Sequence, residues 1–507
     1  MLKCCVRVRV RVRVRVRVEN KILRSFVKHI LHFGCSITSR LLSTLALHDV
    51  IVYKFGGALA RSKRGIEALV RILREAVKRE ATYARRKSKS ETIHGIVLVT
   101  SAIGHTTRNL ARAAELAEEG RLAEAESSLA RTIAQHKQLA ETLQLEDEEA
   151  LFDRLDSIAN EISGWLEGVA IVRELSPRTR DAVLASGERL SAALIEAVLR
   201  DRKFPVRHVE ASNVIITDEQ FGHARPNLEE MARMSEKYIV PGLRRANIVL
   251  LEGFAGATPD GITTTMGSES SDLTATLLAN VLGAQEVVIW KTLPGIYSAD
   301  PELVKTPKLI RSLSFDEAEE IGRRGSRILF PTFAHPLMEA NTPLRIATPF
   351  GHAARHTTLQ REVSPARRTV PLAIALEPHL IPISLPRNHI PPKRALRAPS
   401  PTELVLQHAV MNWSSSNEEH ALLRKEDWRA LARTEIAVAE GPALAAISLV
   451  FRATERDGNS ALLTELARSL RAFHLHSILT LERSLIALVD DAEALPALKK
   501  LHKDLFE

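Results

Sequence analysis

Side chains suited to binding phosphate follow the first two apolar runs of the chain. Lys54, Gly56 and Gly57 close the first run, where glycines let backbone N–H groups approach phosphate oxygens and the lysine adds a positive charge. Residues 101–107, with small hydroxyl residues and Gly104, close the second run and suit phosphate or carboxylate oxygens. Either motif alone would also fit an ordinary structural turn, so neither identifies a ligand.

Three further segments carry polar groups in comparable positions. Glu188, near the start of an amphipathic helix, could hold an ammonium group or could simply complement the helix dipole. The hydroxyl-rich loop 263–272 follows a Gly-Phe-Ala-Gly turn at 253–256 and opens onto a helix, which packing alone does not explain. The loop 293–301 follows Trp290 and could wrap a nucleotide base and ribose. Together the five segments indicate one site that handles phosphate and carboxylate oxygens.

The elements that must position these segments alternate between short apolar strands and amphipathic helices. This alternation predicts an α/β fold over residues 49–350, with an open, mostly parallel sheet sandwiched by helices. Ligands bind at the carboxyl ends of the strands in such sheets, where the polar segments lie. Residues 108–170 are rich in Ala, Leu, Glu and Arg and predict an inserted long helical pair. The predicted strands are 50–55, 95–100, 205–210, 247–251, 286–290 and 344–347, and helices are predicted at 64–79, 181–200 and 272–282.

Residues 365–507 read as a second region after a shift in composition and a cluster of prolines at 386–401. Its second half has the order strand, helix, strand, strand, helix, which is typical of a small ferredoxin-like module. A fainter earlier copy is predicted from 370 to 433, with separate strands at 372–376 and 380–385. We therefore expect tandem ferredoxin-like modules at the carboxyl end.

The net charge of +9 on 507 residues does not indicate a nucleic-acid-binding protein. Residues 1–48 contain eleven Lys and Arg and one Glu, which leaves the other 459 residues with a charge of −1. The three cysteines, Cys4, Cys5 and Cys35, all lie in that segment, so the remainder carries no disulfide or cysteine metal site and fits a reducing cytoplasm. No apolar run approaches the roughly 18–20 residues of a membrane helix.

The basic segment 1–48 contains a strict Val-Arg alternation from residue 6 to residue 18. Three interpretations stay open: a translated simple repeat or misplaced start, a disordered basic arm that touches nucleic acid or membrane, and a transit peptide. We expect this segment to be disordered or a start artefact and exclude it from the fold.

The order of the motifs resembles that of the aspartate kinase family. The resemblance covers about residues 50–350 well, and the pair of ACT modules that ends members of this family is echoed from residue 370 onward. The motifs that carry it are the Lys-Phe-Gly-Gly start at 54–57, the Ser-Ala-x-Gly-x-Thr-Thr turn at 101–107, the runs 175–181 and 185–191, the Gly- and Thr-rich signature 253–272, and the Gly-Ile-Tyr-x-Ala-Asp-Pro loop at 295–301.

The resemblance implies that ATP, with Mg²⁺, phosphorylates the β-carboxylate of L-aspartate to give 4-phospho-L-aspartate, the first step toward lysine, threonine and methionine. It also implies a feedback effector, lysine or threonine, and we expect at least a homodimer. No metal-ligating side chain is predicted. The implied catalytic residues are Lys54 and Asp272, those for the substrate are Ser101, Thr107 and Glu188, and those for ATP are Lys54, Gly56, Gly57, Ser271, Lys291, Thr292, Tyr297 and Arg327.

Several residues depart from the family pattern. The Thr-Ser after the glycine pair is Ala58-Leu59, and the arginine expected to pair with the substrate α-carboxylate is Ser268. The Thr-Asp before the nucleotide loop is Lys291-Thr292, and the arginine after Asp-Pro is Glu302. We hypothesise that Arg225 or another basic residue replaces the missing carboxylate partner.

Two alternatives to an active aspartate kinase stay open at this point. One is a related kinase that acts on another carboxylate or phosphate. The other is a catalytically weak regulatory protein that binds amino acids through its carboxyl-terminal modules, which the changes at Ser268 and Glu302 favour. No nucleic-acid or membrane partner is expected.

Overall fold

A computed structural model describes twelve segments of the chain. The basic Val-Arg segment 1–48 lies outside them, so its three interpretations stay open. The described residues are 49–86, 93–267, 270–325, 334–351, 355–363, 369–386, 409–414, 418–425, 427–428, 439–440, 442–452 and 459–507.

Among the residues described before 361 there are ten strands, and eight of them form one sheet. Its order is β3-β4-β2-β1-β7-β9-β10-β8, while β5 and β6 form a separate antiparallel pair. The strands from β3 to β9 along this sheet run parallel, and β10 is antiparallel to β9. The strands are β1 (Asp49–Phe55), β2 (His94–Thr100), β3 (Val206–His208), β4 (Ile248–Glu252), β5 (Ala255–Ala257), β6 (Thr263–Thr265), β7 (Glu286–Trp290), β8 (Ser312–Ser314), β9 (Leu344–Ala347) and β10 (His356–Gln360).

Helices cover both faces of this sheet, which confirms the predicted open α/β fold. Side chains alternate between faces along a strand, so in β1 Tyr53 and Phe55 join one apolar cluster while Val50 and Val52 join the other. The helices are α1 (Gly57–Ala60), α2 (Lys63–Arg86), α3 (Thr106–Glu118), α4 (Leu122–Leu143), α5 (Glu148–Val172), α6 (Pro177–Asp201), α7 (Leu228–Arg245), α8 (Ser270–Leu282), α9 (Phe315–Arg323) and α10 (His335–Ala340).

The predicted helical pair at 108–170 is three helices, α3, α4 and α5, that lead into α6. The sequence has few glycines and no proline there, but the chain leaves the helix at Gly120, with φ +77°, and at the left-handed Gln144. Ser176 caps α6, its Oγ accepting a hydrogen bond from the N–H of Thr179 at 3.1 Å, and Pro177 takes the first helical position. These caps fix where α6 starts and therefore where Glu188 lies.

A second sheet, antiparallel, forms the carboxyl-terminal region. Its order is β12-β13-β11-β15-β17-β16, with β14 also paired to β11. No helix among the described residues is long and apolar enough to cross a membrane. The remaining elements are β11 (Val370–Pro386), β12 (Met411–Ser414), β13 (Glu418–Arg424), β14 (Ala439–Glu440), β15 (Leu444–Arg452), α11 (Ser460–Leu470), β16 (Leu475–Thr480), β17 (Ser484–Asp490) and α12 (Ala494–Phe506).

The two strands predicted at 372–376 and 380–385 are one long strand, β11. A register shift between Glu377 and Leu380 divides it, so its first half pairs with β15 and its second half with β13. The sheet order β11-β15-β17-β16 with α11 and α12 gives the ferredoxin-like arrangement. The outer strand of this module is therefore the first half of β11, which the sequence pattern assigns to the fainter copy.

Polar contacts join this region to the domain of the parallel sheet. Arg452, at the end of β15, donates two hydrogen bonds to the buried carboxylate of Glu317 in α9, at 2.6 and 2.8 Å. Ser298 Oγ, in the loop after β7, lies 2.9 Å from the buried His502 Nε2 of α12. The loop after β7 therefore packs directly on the carboxyl-terminal region.

Candidate active site

The turns that follow several strands enclose one cleft of about 830 Å³ at the carboxyl edge of the parallel sheet. Strand order reverses around β1, which lies between β2 and β7, and this is where open α/β sheets bind ligands. Of the predicted site residues, those that line the cleft are Lys54, Gly56, Gly57, Ser101, Thr107, Glu188, Ser271, Asp272, Lys291 and Thr292.

Two lysines meet one carboxylate at the floor of the cleft. Lys54 Nζ lies 2.7 Å from Asp272 Oδ1, and Lys291 Nζ lies 3.0 Å from Asp272 Oδ2. Burial alone would raise the pKa of Asp272, but the two ammonium groups outweigh it and lower the pKa to about 2. Asp272 is therefore a fixed anion that holds two cations facing the cleft.

Glu188 supplies a second carboxylate with different electrostatics. Its Oε1 accepts a hydrogen bond from the N–H of Ala102 at 3.2 Å, while its buried Oε2 has no hydrogen-bond partner among the described residues. Burial raises the pKa of Glu188 to about 8, and Lys54 only partly opposes this rise. An unpartnered carboxylate oxygen in a cleft is suited to receive a cationic ligand group.

Glycine is required where the turn after β1 meets the turn after β2. A Cβ on Gly57 would lie 1.8 Å from the backbone oxygen of Ala102, and the N–H of Gly104 donates to the Gly57 oxygen at 3.1 Å. Gly56 donates its N–H to the Trp290 oxygen at 3.3 Å. The three turns are thus tied together through main-chain atoms, and only a residue without a side chain fits at 57.

Asp181 organises the hydroxyl-rich loop, a role that sequence reasoning missed. Its Oδ2 accepts from the N–H groups of Thr265 and Gly222, at 2.7 and 2.9 Å, and its Oδ1 accepts from Thr265 Oγ1 at 2.8 Å. Asp181 is the last residue of the motif 175–181, and this motif could have pointed to it. Its hydrogen-bond partners are 41 and 84 residues away along the chain, so the sequence did not predict the contacts. Asp181 therefore positions two walls of the cleft at once.

Tyr297 lines a neighbouring cavity of about 570 Å³ rather than the main cleft. Thr292 lines both cavities, so the two adjoin at the loop after β7. The far wall of the second cavity comes from the carboxyl-terminal region, with Ile374 and Leu376 of β11 and Leu498 of α12. A ligand that spans both cavities would contact both parts of the protein.

Arg225 does not line the cleft, so the hypothesis that it replaces the missing arginine is not supported. The backbone N–H of Arg225 donates to Asp218 Oδ1 at 2.8 Å, and the backbone oxygen of Arg225 accepts from the N–H of Asp218 at 3.0 Å. Arg225 is exposed in this turn. Other basic side chains line the cleft instead, namely His105, Arg108, Arg180 and His223. Arg327 and Ser268 lie outside the described residues.

Arg180 is the best placed of these basic residues. Arg180, Leu184 and Glu188 recur every four residues along α6 and all line the cleft, because residues four apart share a helix face. Arg180 is half-buried, whereas Arg108 is exposed. One helix face therefore offers the cleft a cation and a carboxylate about two turns apart.

The fold and this arrangement define a class of protein. The model of the amino acid kinase family matches residues 49–348, and the chain belongs to this family.

Within the family, two aspartokinases are similar to this chain. It is 32% identical over 207 residues to lysine-sensitive aspartokinase 3 of Escherichia coli, covering 39% of this chain and 46% of that protein. It is 30% identical over 300 residues to the aspartokinase of Chlamydia trachomatis, covering 59% of this chain and 62% of that protein. The chain thus spans about half the length of these curated relatives.

A solved structure supports the fold. The crystal structure of E. coli aspartokinase III in complex with aspartate and ADP matches with a TM-score of 0.69 and 23% identity, over 90% of this chain and all of that one. The match covers 90% of this chain, so the likeness of fold extends beyond the parallel sheet into the carboxyl-terminal region.

Proposed function

We propose that the protein is an aspartate kinase that transfers the γ-phosphoryl group of ATP to the β-carboxylate of L-aspartate, giving 4-phospho-L-aspartate. The observation that carries this proposal is the single cleft that joins the Lys54–Asp272–Lys291 cluster to the unpartnered oxygen of Glu188. The names of the relatives support the same substrate.

The chemistry requires positioning and charge stabilisation rather than a strong base. The attacking β-carboxylate is already ionised at neutral pH. Lys54 and Lys291 would neutralise phosphate charge, and the N–H of Gly57 would add a neutral donor, in a site that Asp272 keeps in place. Glu188 would bind the substrate ammonium group, and Ser101 and Thr107 would hold substrate or phosphate oxygens.

The nucleotide would extend from the main cleft into the second cavity. Its base and ribose would lie near Tyr297, and its phosphates would lie beside Lys54, Gly56 and Ser271. The carboxylates of Asp181 and Asp272 are already engaged by protein groups, so Mg²⁺ would be held mainly by phosphate oxygens and water, as is usual for this ion. When bound, Mg²⁺ supplies further neutralisation of phosphate charge.

A hydroxamate assay tests the proposed reaction directly. Hydroxylamine traps an acyl phosphate, so we expect a coloured hydroxamate with L-aspartate and MgATP and at least about tenfold less with L-glutamate. Turnover with glutamate but not aspartate would favour the related kinase for another carboxylate. Turnover with no acid would favour the catalytically weak regulatory protein.

Arg180 is expected to pair with the α-carboxylate of aspartate. Arg180→Ala should raise the KM for aspartate about 10- to 100-fold, the usual cost of losing a charge-assisted hydrogen bond, with a smaller change in the KM for ATP. Arg225→Ala is the matched control and should leave both constants unchanged, since Arg225 is exposed outside the cleft. An unchanged KM for aspartate in Arg180→Ala would reject this role.

The activity should depend on the ionisation of Glu188. The pKa of Glu188 in the free protein is about 8. Only the ionised form can bind an ammonium group, and this form becomes the major one above that pH. We expect kcat/KM for aspartate to rise roughly eightfold from pH 7 to pH 8.5, as a single ionisation of this pKa predicts. In Glu188→Gln the value should be low and independent of pH over this range. A flat profile in the unmodified protein would contradict the assignment.

We also propose that the carboxyl-terminal region gives feedback control by an amino acid, lysine or threonine, at the start of the route to lysine, threonine and methionine. The support is its ferredoxin-like architecture and its contact with the loop after β7 through Ser298 and His502. We further propose a cytoplasmic homo-oligomer. Inhibition of the full chain by each amino acid separately, with sedimentation to measure its mass, tests these statements; activity insensitive to both would reject the regulatory role.

A further inference from the structure

A cluster of metal-ligand side chains lies at the edge of the carboxyl-terminal sheet. His474 immediately precedes β16, His476 is its second residue, and Asp490 ends β17. Leu475 pairs with Val489, which places His474 opposite Asp490 across the two strands. The register shifts between Leu475 and Ser477, so His476 occupies an irregularity of the kind that re-aims a side chain.

Both imidazoles converge on the same carboxylate. His474 Nδ1 lies 2.9 Å from Asp490 Oδ2, and His476 Nε2 lies 2.6 Å from Asp490 Oδ1. The two rings lie face to face at a tilt, with centroids 4.5 Å apart. Imidazole nitrogens and carboxylate oxygens are both metal ligands, so three ligand groups meet at one point.

The spacing fits a zinc ion. One ligand atom from each of the three residues lies within 4.8 Å of the other two. Zinc bonds of about 2.0–2.2 Å in tetrahedral geometry separate ligand atoms by roughly 3.3 Å. The contacts of 2.6 and 2.9 Å and the limit of 4.8 Å bracket that separation, so small side-chain rotations would bring all three atoms to bonding distance.

We propose that His474, His476 and Asp490 bind one Zn²⁺ ion or a borderline divalent ion of similar preference. Two neutral imidazoles and one carboxylate are an ordinary zinc ligand set that leaves a fourth position. Glu493 could fill it, because its Oε2 already accepts from the N–H of His474 at 2.6 Å; water is the other choice. The partial exposure of the three side chains gives the ion direct access.

Titration with Co²⁺, a spectroscopic substitute for Zn²⁺, tests the site in the full chain. We expect one equivalent to give visible d–d bands of a tetrahedral or five-coordinate nitrogen–oxygen site, and Zn²⁺ to abolish them. Cys4, Cys5 and Cys35 could also bind Co²⁺, but thiolate ligands would add a sulfur charge-transfer band.

Matched variants separate a metal site from ordinary ion pairs. His476→Ala and Asp490→Asn should each lose this equivalent of Co²⁺ while retaining the three cysteines. His379→Ala should bind Co²⁺ as the unmodified protein does. His379 Nδ1 lies 2.6 Å from Asp491 Oδ2, and this contact joins one imidazole, rather than two, to a carboxylate. Equal Co²⁺ stoichiometry in the unmodified protein and His476→Ala would overturn the proposal and leave two histidine–carboxylate pairs.

Discussion

Replacing Lys54 with methionine is expected to lower kcat for aspartate phosphorylation about 100- to 1,000-fold, the usual loss when a preorganised group that stabilises transition-state charge is removed. Lys54 Nζ is held by Asp272 at 2.7 Å in a buried position, so it costs no reorganisation when phosphate charge shifts. Methionine keeps the length and apolar stem of the side chain, and Lys291 still compensates Asp272 at 3.0 Å. The fold should therefore survive.

The hydroxamate assay at saturating substrates measures this effect, with circular dichroism to verify the fold. Lys63→Met is the matched control, because Lys63 is an exposed lysine at the start of α2, 4.0 Å from Glu67. Its kcat should equal that of the unmodified protein. A folded Lys54→Met variant within tenfold of normal kcat would show that this lysine does not act on the transferring group.

Replacing Gly57 with alanine is expected to lower kcat/KM about 100-fold, because a displacement of about 1 Å in positioned groups has a cost of that order. The added Cβ would lie 1.8 Å from the Ala102 oxygen, a backbone atom that cannot rotate away. The turns after β1 and β2 would have to separate, which moves Lys54 and Ser101 relative to each other. The hydrogen bond from the Gly104 N–H to the Gly57 oxygen would be strained as well.

Steady-state kinetics and thermal unfolding of Gly57→Ala measure this effect. Gly168→Ala is the matched control: Gly168 lies within helix α5, and an added Cβ there meets nothing within 4 Å. That substitution should keep full activity and stabilise the protein by up to about 1 kcal/mol through helix propensity. Normal kcat/KM in Gly57→Ala would mean that the two turns are not rigidly coupled.

Local pattern was sufficient to predict the sheet domain and most of the cleft. The strands of the parallel sheet are buried on both faces, so they read as short continuous apolar runs, and the polar residues that follow them meet at one edge by topology alone. Seven predicted residues at the ends of β1, β2 and β7 line the cleft for this reason, whereas Glu188 comes from helix α6 and Ser271 and Asp272 come from the start of helix α8. Asp272 meets Lys54 from 218 positions away along the chain.

Predictions failed where a side chain's direction depends on distant contacts. Arg225 lies close in sequence to Gly222 and His223, which line the cleft, but Arg225 itself is exposed outside the cleft, in a turn where its N–H donates to Asp218. Asp181 is an unremarkable helix residue until Thr265 and Gly222 come within hydrogen-bonding distance. The single strand β11 could not be divided correctly either, because its two halves differ only in which later strand they pair with.

Periodicity and short-range sterics act within a few residues, and they were enough to predict most strands and helices, the glycines and lysine of the first turn, and the resemblance to one kinase family. The raised pKa of Glu188, the joining of Lys54 and Lys291 on Asp272, and the sharing of β11 between modules could be seen only in the folded chain. Burial, ion pairing and strand pairing are long-range, and each depends on residues brought together by the whole fold.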